Sequence, residues 1–349
     1  MIGVKTLRLW AQHICFVVLT FGGRLGVNLG YTLPCLSCPF VNGCGGVCYL
    51  RMLQSPNGGF GLTWLTLWSE RGLMGLLALI MFVFLTALFG NSWCGWVCPF
   101  GLLQDYISKL RNWLKIREAI FTPKTLKYLR ILKYAIFGYV ILTPIMVTAG
   151  WVHPDLTMPF CGICPVRVIM PLLIGDTSNL ALDFTNIVLL SISSILIIFT
   201  GVTLIGAFFK ERFFCLICPM NVLINFVRPL YLLNLVKDPR ACLGCCTCRQ
   251  VCPGHLNTAD LERSGAEKLE KKKRIFALGR PIPIKLSGCH GCFDCVETCA
   301  TDGSLGVKFG PWILTRSSRA RSVASWPGPA KKPPLEPNAP PSPTDSLAR

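Results

Sequence analysis

The chain has 349 residues, of which 52% are hydrophobic and only 15% charged, with a mean hydropathy of +0.52. A soluble domain carries about 25% charged residues, so this composition excludes a disordered chain and argues for a membrane protein. The formal charge is +18, from 35 Lys+Arg against 17 Asp+Glu, and there are 20 cysteines.

Four apolar segments are each long enough to cross a hydrocarbon core of roughly 30 Å: residues 9–29, 72–89, 129–149 and 187–209. The first follows Lys5 and Arg8 without a small-residue cleavage site and reads as an uncleaved anchor. It contains Arg24, read as snorkelling to the interface. Its Gly22, Gly26 and Gly30 have the spacing that lets helices pack closely. Basic residues cluster in loop 90–133 and after residue 210, and are sparse in loops 31–71 and 150–186. By the positive-inside rule both termini are expected to be cytoplasmic, in a bacterial inner membrane. That assignment absorbs most of the positive charge. No nucleic-acid-binding signature supports a nucleic-acid partner.

Each span is followed by a cysteine pair ending in proline: Cys35-x2-Cys38-Pro39, Cys94-x3-Cys98-Pro99, Cys161-x2-Cys164-Pro165 and Cys215-x2-Cys218-Pro219. The order span, pair, span, pair occurs twice and reads as a duplicated two-helix unit. Proline is favoured at the first position of a helix, where free backbone N–H groups and the dipole suit an anionic group. Helices are therefore expected at Phe100–Leu114, Val166–Ile174 and Met220–Val236. The topology groups Cys94, Cys98, Cys215 and Cys218 on the inner side, and Cys35, Cys38, Cys161 and Cys164 on the outer side. Four thiolates are what a [4Fe–4S] cubane requires. On the outer side disulfides are the alternative. Cys44 and Cys48 add further outer candidates, including a set of Cys35, Cys38, Cys44 and Cys48. A single hop across the bilayer would be too slow for electrons. The short run Pro165–Gly175 is therefore expected to be a re-entrant half-helix that brings Cys161 and Cys164 inward, against the Gly22–Gly30 face.

Residues 237–310 hold Cys242-x2-Cys245-x2-Cys248-x3-Cys252-Pro253 and Cys289-x2-Cys292-x2-Cys295-x3-Cys299. This is the two-cluster ferredoxin spacing, in which the fourth cysteine of each run serves the other cluster. The first cluster is then held by Cys242, Cys245, Cys248 and Cys299. The second is held by Cys289, Cys292, Cys295 and Cys252. Zinc is the alternative metal, because its four-cysteine sites also use Cys-x2-Cys pairs. Two complete runs favour iron, giving three to four [4Fe–4S] clusters in all. Cys246 reads as a bystander and Cys15 as a core thiol. His153 reads as a helix-end histidine, with a quinol proton acceptor as its functional alternative. Residues 311–349, rich in proline, read as a disordered tail. The expected plan is a four-helix membrane domain (1–236), a cytoplasmic ferredoxin-like domain (237–310) and that tail.

Over about residues 9–310 the sequence resembles the NapH/MauN/NosR group of membrane polyferredoxins. The resemblance rests on the four spans, on Trp93-Cys94-Gly95-Trp96-Val97-Cys98-Pro99-Phe100-Gly101 and on the two ferredoxin runs. It implies a membrane-bound electron-transfer subunit working with quinone or quinol and with a respiratory or periplasmic redox partner or larger membrane complex. The large periplasmic flavin domain of NosR-like members is missing from this sequence. The plan also resembles in part the CcoG-type polyferredoxins, which implies a redox assembly factor for a metalloenzyme as the alternative.

Overall fold

The computed structural model describes residues 3–27, 34–35, 38, 40–41, 47–54, 70–119, 121–153, 156, 158–238, 241, 247–253, 282–283 and 289–318. The chain divides into two compact units. One comprises Arg8–Leu232 with Gly288–Gly291, and the other Met1–Leu7, Leu233–Ser287 and Cys292–Arg349.

The larger unit is helical. Its long helices are α1 (Val4–Phe21), α3 (Glu70–Phe89), α5 (Pro123–Thr148) and α8 (Ile187–Phe209). Short helices lie between them: α2 (Tyr49–Gln54), α4 (Pro99–Trp113), α6 (Pro159–Ile163), α7 (Pro165–Leu173), α9 (Phe213–Ile217) and α10 (Met220–Phe226). Two short strands, β1 (Pro34–Cys35) and β2 (Val47–Cys48), pair in parallel.

Two helices, Lys124–Val147 within α5 and Ile187–Phe209, are long and apolar enough to cross a membrane. Only 22% and 17% of their most apolar stretches are buried. A soluble core helix would be mostly buried, whereas these helices present Ile131, Leu142, Ile198 and Ile205 outward. In α3 the apolar stretch Leu76–Phe89 is shorter. The expected first span also proves shorter, because α1 ends at Phe21. Gly26 adopts φ +74°, and the Val27 N–H bonds the Gly22 carbonyl at 2.7 Å. This is the closing bond of a left-handed helix stop, a conformation glycine adopts without steric cost. Gly22 and Gly26 therefore terminate the helix instead of lining a packing face, and Gly30 lies outside the described residues. Arg24 stands exposed in this turn.

The Cys-Pro motifs behave as expected of X-Pro at a helix start. Cys98, Cys164 and Cys218 are all extended, with ψ of 116°, 123° and 122°, because the proline ring disfavours the helical region for its predecessor. The helices then begin at Pro99, Pro165 and Met220. The third is shorter than expected. It stops at Phe226, a 3₁₀ turn containing Pro229 follows, and Leu233–Lys237 is a strand.

The smaller unit contains a four-stranded antiparallel sheet with order β4-β3-β5-β6: β3 (Leu233–Lys237), β4 (Ile282–Pro283), β5 (Leu305–Phe309) and β6 (Trp312–Arg316). Two one-turn helices, α11 (Thr247–Gln250) and α12 (Asp294–Thr298), pack on each other. The fold thus extends past Pro311 into the expected tail. Ser317 closes it, exchanging backbone and side-chain hydrogen bonds with Leu305. The rest of the expected tail lies outside the described residues.

Candidate iron–sulfur site

The central core of the helical unit includes Tyr49, Phe82, Phe100, Phe160, Phe214 and Ile224. Tyr49 stacks flat on Phe82 with ring centroids 4.2 Å apart, and Phe100 meets Phe214 edge-on at 5.1 Å. Beside these rings lies a cavity of about 100 Å³ lined by eight cysteines: Cys38, Cys48, Cys94, Cys98, Cys161, Cys164, Cys215 and Cys218.

Two glutamines build the walls in the same way. The Gln54 Oε1 accepts the backbone N–H groups of Phe160 and Cys161, at 2.9 and 3.2 Å. Its Nε2 donates to the Leu50 carbonyl and to the Cys161 Sγ at 3.5 Å. The Gln104 Oε1 accepts from the Phe214 N–H at 3.0 Å. Its Nε2 donates to the Phe100 carbonyl and faces the Cys215 Sγ at 3.9 Å. Gln54 follows Cys48 by the same interval as Gln104 follows Cys98. The structural repeat therefore equates Cys48 with Cys98, Cys161 with Cys215 and Cys164 with Cys218.

Of the expected set of Cys35, Cys38, Cys161 and Cys164, the last three line the cavity together, and Cys48 joins them. Among the described side chains, Cys48 completes the first set, beside Cys38, Cys161 and Cys164. The Cys35 side chain and Cys44 lie outside the described residues. The overlooked signal was in the sequence: Cys44-Gly-Gly-Val-Cys48 matches Cys94-Gly-Trp-Val-Cys98, and a glutamine follows each.

The two sets do not stand at opposite ends of the long helices. The Cys161–Cys164 turn packs on α8 at Ile192, whose Cγ2 lies 3.1 Å from where a Gly162 Cβ would stand. The Cys215–Cys218 turn reaches α8 through Phe214 and Phe199. Ile192 and Phe199 are seven residues apart, about 10 Å along a helix. The fold-back at α9 is possible because Gly206 leaves room for Phe213; a Cβ there would lie 2.3 Å from its ring. Val166 and Met170 of α7 line a second small cavity together with Leu19 and Thr20 of α1.

Polar groups surround the second set. Arg212, in a left-handed turn at φ +53°, makes a two-pronged ion pair with Asp105, Nε–Oδ1 2.8 Å and Nη2–Oδ2 2.6 Å. Gln12 donates to Asp105 Oδ2 and to the Gly95 carbonyl, tying the pair to the Cys94–Cys98 turn. Burial opposes the Asp105 charge, but Arg212 overcomes it and holds the carboxyl below its usual range. His290 lines the same cavity, and burial, reinforced by Arg212 and Lys133, lowers its pKa to about 3.

The donor set fits a cluster. Burial raises the Cys94, Cys98, Cys164 and Cys218 thiols, and Cys215 is pushed up to about 12. Neighbouring cysteines add to the rise, as Cys98, Cys215 and Cys218 do for Cys94. Four thiolates persist together in such a site only beside cationic metal. Among the described residues no three potential ligands converge on one metal ion. Cys48, Cys161 and Cys164 form no disulfide.

In the smaller unit Cys248 lies in α11 and Cys295 in α12. Cys252 follows α11, and Cys299 is extended at the end of α12 with its Sγ 3.2 Å from Thr301 Oγ1. Cys292 and Cys299 are buried. Cys289 stands in the Gly288–Gly291 segment assigned to the helical unit. Cys242, Cys245 and Cys246 lie outside the described residues. His153 is exposed and lines neither described cavity, so its expected alternative as a quinol group gains nothing from the structure.

Residues 71–117 and 193–235 match a 4Fe-4S binding domain, and residues 234–300 match a 4Fe-4S dicluster domain. The chain is 25% identical to YccM of Escherichia coli K12, a protein assigned provisionally to electron transport, over 72% of this chain and 60% of that protein. It is 26% identical to MJ0750 of Methanocaldococcus jannaschii, over 64% of this chain and 75% of the relative. It is 22% identical to MJ0749 of the same organism, over 66% and 70%. Both archaeal proteins are uncharacterised. The chain thus spans about 60% of the length of YccM. No solved structure matches it.

Proposed function

We propose that the chain is a membrane-embedded iron–sulfur electron-transfer protein with four spans, both termini cytoplasmic and four [4Fe–4S] clusters. The carrying observation is a cavity lined by eight cysteines. Cys94, Cys98, Cys215 and Cys218 would hold one cluster. Cys48, Cys161 and Cys164, with Cys38, would hold the second. The ferredoxin runs would hold two more, through Cys242, Cys245, Cys248 and Cys299, and through Cys289, Cys292, Cys295 and Cys252. Such clusters supply reversible one-electron exchange. The chain's own residues place the thiolates, exclude water with Phe100, Phe160 and Phe214, and balance charge with Arg212 and Asp105. In this reading α1 and α3 complete the four spans. Quinol and a respiratory or periplasmic redox protein are the proposed electron partners, as in NapH-type proteins; the dicluster match and the likeness to YccM support the redox role.

The test is iron content and paramagnetic spectroscopy of the purified full chain. Iron near about 16 atoms per chain is expected, four for each cubane. Cys98→Ser should remove one cluster signal and leave the ferredoxin signals. Zinc without iron, or a Cys98→Ser protein with every signal intact, would overturn the reading.

A further inference from the structure

Two buried side chains at the inner cysteine set hold nitrogen atoms without a hydrogen-bond partner among the described residues. Asn221 is 3% exposed and lines the cavity. Its Oδ1 accepts the Lys133 ammonium and the Asn225 amide, both at 2.9 Å, so the orientation of its amide is fixed. Its Nδ2 has no partner among the described residues. His290 is 5% exposed, lines the same cavity, and neither ring nitrogen has a partner among the described residues. Its position is held firmly. Trp96 Nε1 donates to the Gly291 carbonyl at 3.0 Å. Gly291 adopts φ +62° and packs so tightly on Ser92 that a Cβ would lie 2.5 Å from the Ser92 nitrogen. The Lys133 ammonium thus already bonds Asn221, and the sulfurs of Cys94, Cys98, Cys215 and Cys218 line the cavity with these two side chains.

An imidazole ring carries at least one N–H donor and a primary amide two, whereas metal-bound thiolates and sulfides only accept. Buried donors without acceptors are costly, and here the acceptors are the sulfurs a cluster would bring. We infer that His290 and Asn221 form a donor wall that hydrogen-bonds the sulfurs of the cluster held by Cys94, Cys98, Cys215 and Cys218. The inference rests on that cluster being present. Hydrogen bonds to sulfur stabilise the more negative reduced state and raise the reduction potential. In the first cysteine set the position equivalent to Asn221 is Arg167, whose Nε bonds Asn179, so this wall belongs to one set alone.

The experiment is a redox titration of the full chain, followed on the paramagnetic signal that Cys98→Ser abolishes. His290→Phe and Asn221→Leu should each shift the reduced-to-oxidised ratio at fixed potential about tenfold toward oxidised, equal to 59 mV for one electron. Iron content should stay unchanged, and His290→Gln, which keeps a donor, should recover most of the shift. Unchanged potentials in both variants overturn the inference. Should either variant fail to assemble, the wild-type protein labelled with ¹⁵N decides. Weak nitrogen hyperfine coupling on the Cys98-dependent signal is expected. No coupling, or the strong coupling of direct ligation, overturns the donor wall alone. A wild-type protein with no Cys98-dependent signal overturns the inner cluster and the wall together.

Discussion

The two halves of the helical unit share one scaffold and differ in charge. In each, a cysteine precedes a helix whose glutamine grips the backbone of a Phe-Cys turn: Gln54 on Phe160–Cys161 and Gln104 on Phe214. The positions around that scaffold diverge. Where the second half has Gly101 and Asn221, the first has Arg51 and Arg167, both half-buried and both over the Phe40 ring, at 5.6 and 4.4 Å. Where the second half has Arg212, paired in the interior with Asp105, the first has Met158. The two sets thus share what holds the thiols and differ in the charges around them. Two like sites with unlike surroundings can carry electrons at unlike potentials.

The largest expected difference comes from the buried pair. Arg212→Met leaves the Asp105 carboxylate without its partner, and breaking one side of a buried pair costs about 3–5 kcal/mol. Arg167→Met removes a half-exposed charge worth about 0–1 kcal/mol. Denaturation in detergent should show a large loss for the first variant and a small one for the second. The double change Arg212→Met with Asp105→Leu should recover much of the stability, since neither charge is then stranded. Equal losses for Arg212→Met and Arg167→Met would mean the halves are not electrostatically distinct.

A smaller effect tests the shared scaffold. Gln104→Leu and Gln54→Leu each strand buried backbone N–H groups, at a cost of about 1–3 kcal/mol. Each should weaken iron retention in its own set, Gln104→Leu at the signal that needs Cys98 and Gln54→Leu at the signal that needs Cys164. Loss of the same signal in both variants would contradict the equivalence of the halves.

Much of this was readable in the sequence. The Cys-Pro helix starts follow from local chemistry, because proline fixes its own φ and pushes its predecessor extended; Cys98, Cys164 and Cys218 conform. The apolar stretches of α5 and α8 were visible to hydropathy. The place of Cys48 in the cavity was harder to read, because the Cys-x2-Cys-Pro likeness of Cys35–Pro39 to Cys161–Pro165 stands out over the fainter Cys-Gly-x-Val-Cys likeness of 44–48 to 94–98. The glutamines that decide the matter are polar residues on apolar helices, and their meaning appears only when their amide reaches another segment. The depth of the sites was hidden for a related reason. Five-residue turns such as α6 and α9 carry no periodicity, and their fold-back toward the middle of α8 depends on single close approaches at Gly162 and Gly206.

The finest expected contrast is in the response to salt. Arg51 and Arg167 lie near the first set: burial raises the Cys48 and Cys161 thiols, and Arg51 opposes that rise. Both arginines are partly open to solvent. The Debye length falls from about 10 Å at 0.1 M to about 3 Å at 1 M ionic strength, so salt should screen them. Arg212 is 1% exposed and paired with Asp105, where ions penetrate poorly. Positive charge near a cluster favours the reduced form, so screening should lower the potential of the Cys164-dependent cluster. Exposed charges are worth about 0.2–1 kcal/mol, which amounts to a few-fold change in the reduced-to-oxidised ratio. The Cys98-dependent cluster should hold its potential. Arg167→Gln at low salt should imitate part of the high-salt shift and blunt the remaining response. If both clusters move together with ionic strength, the charge difference between the halves does not set their potentials, and the duplicated scaffold carries two electrically equivalent sites.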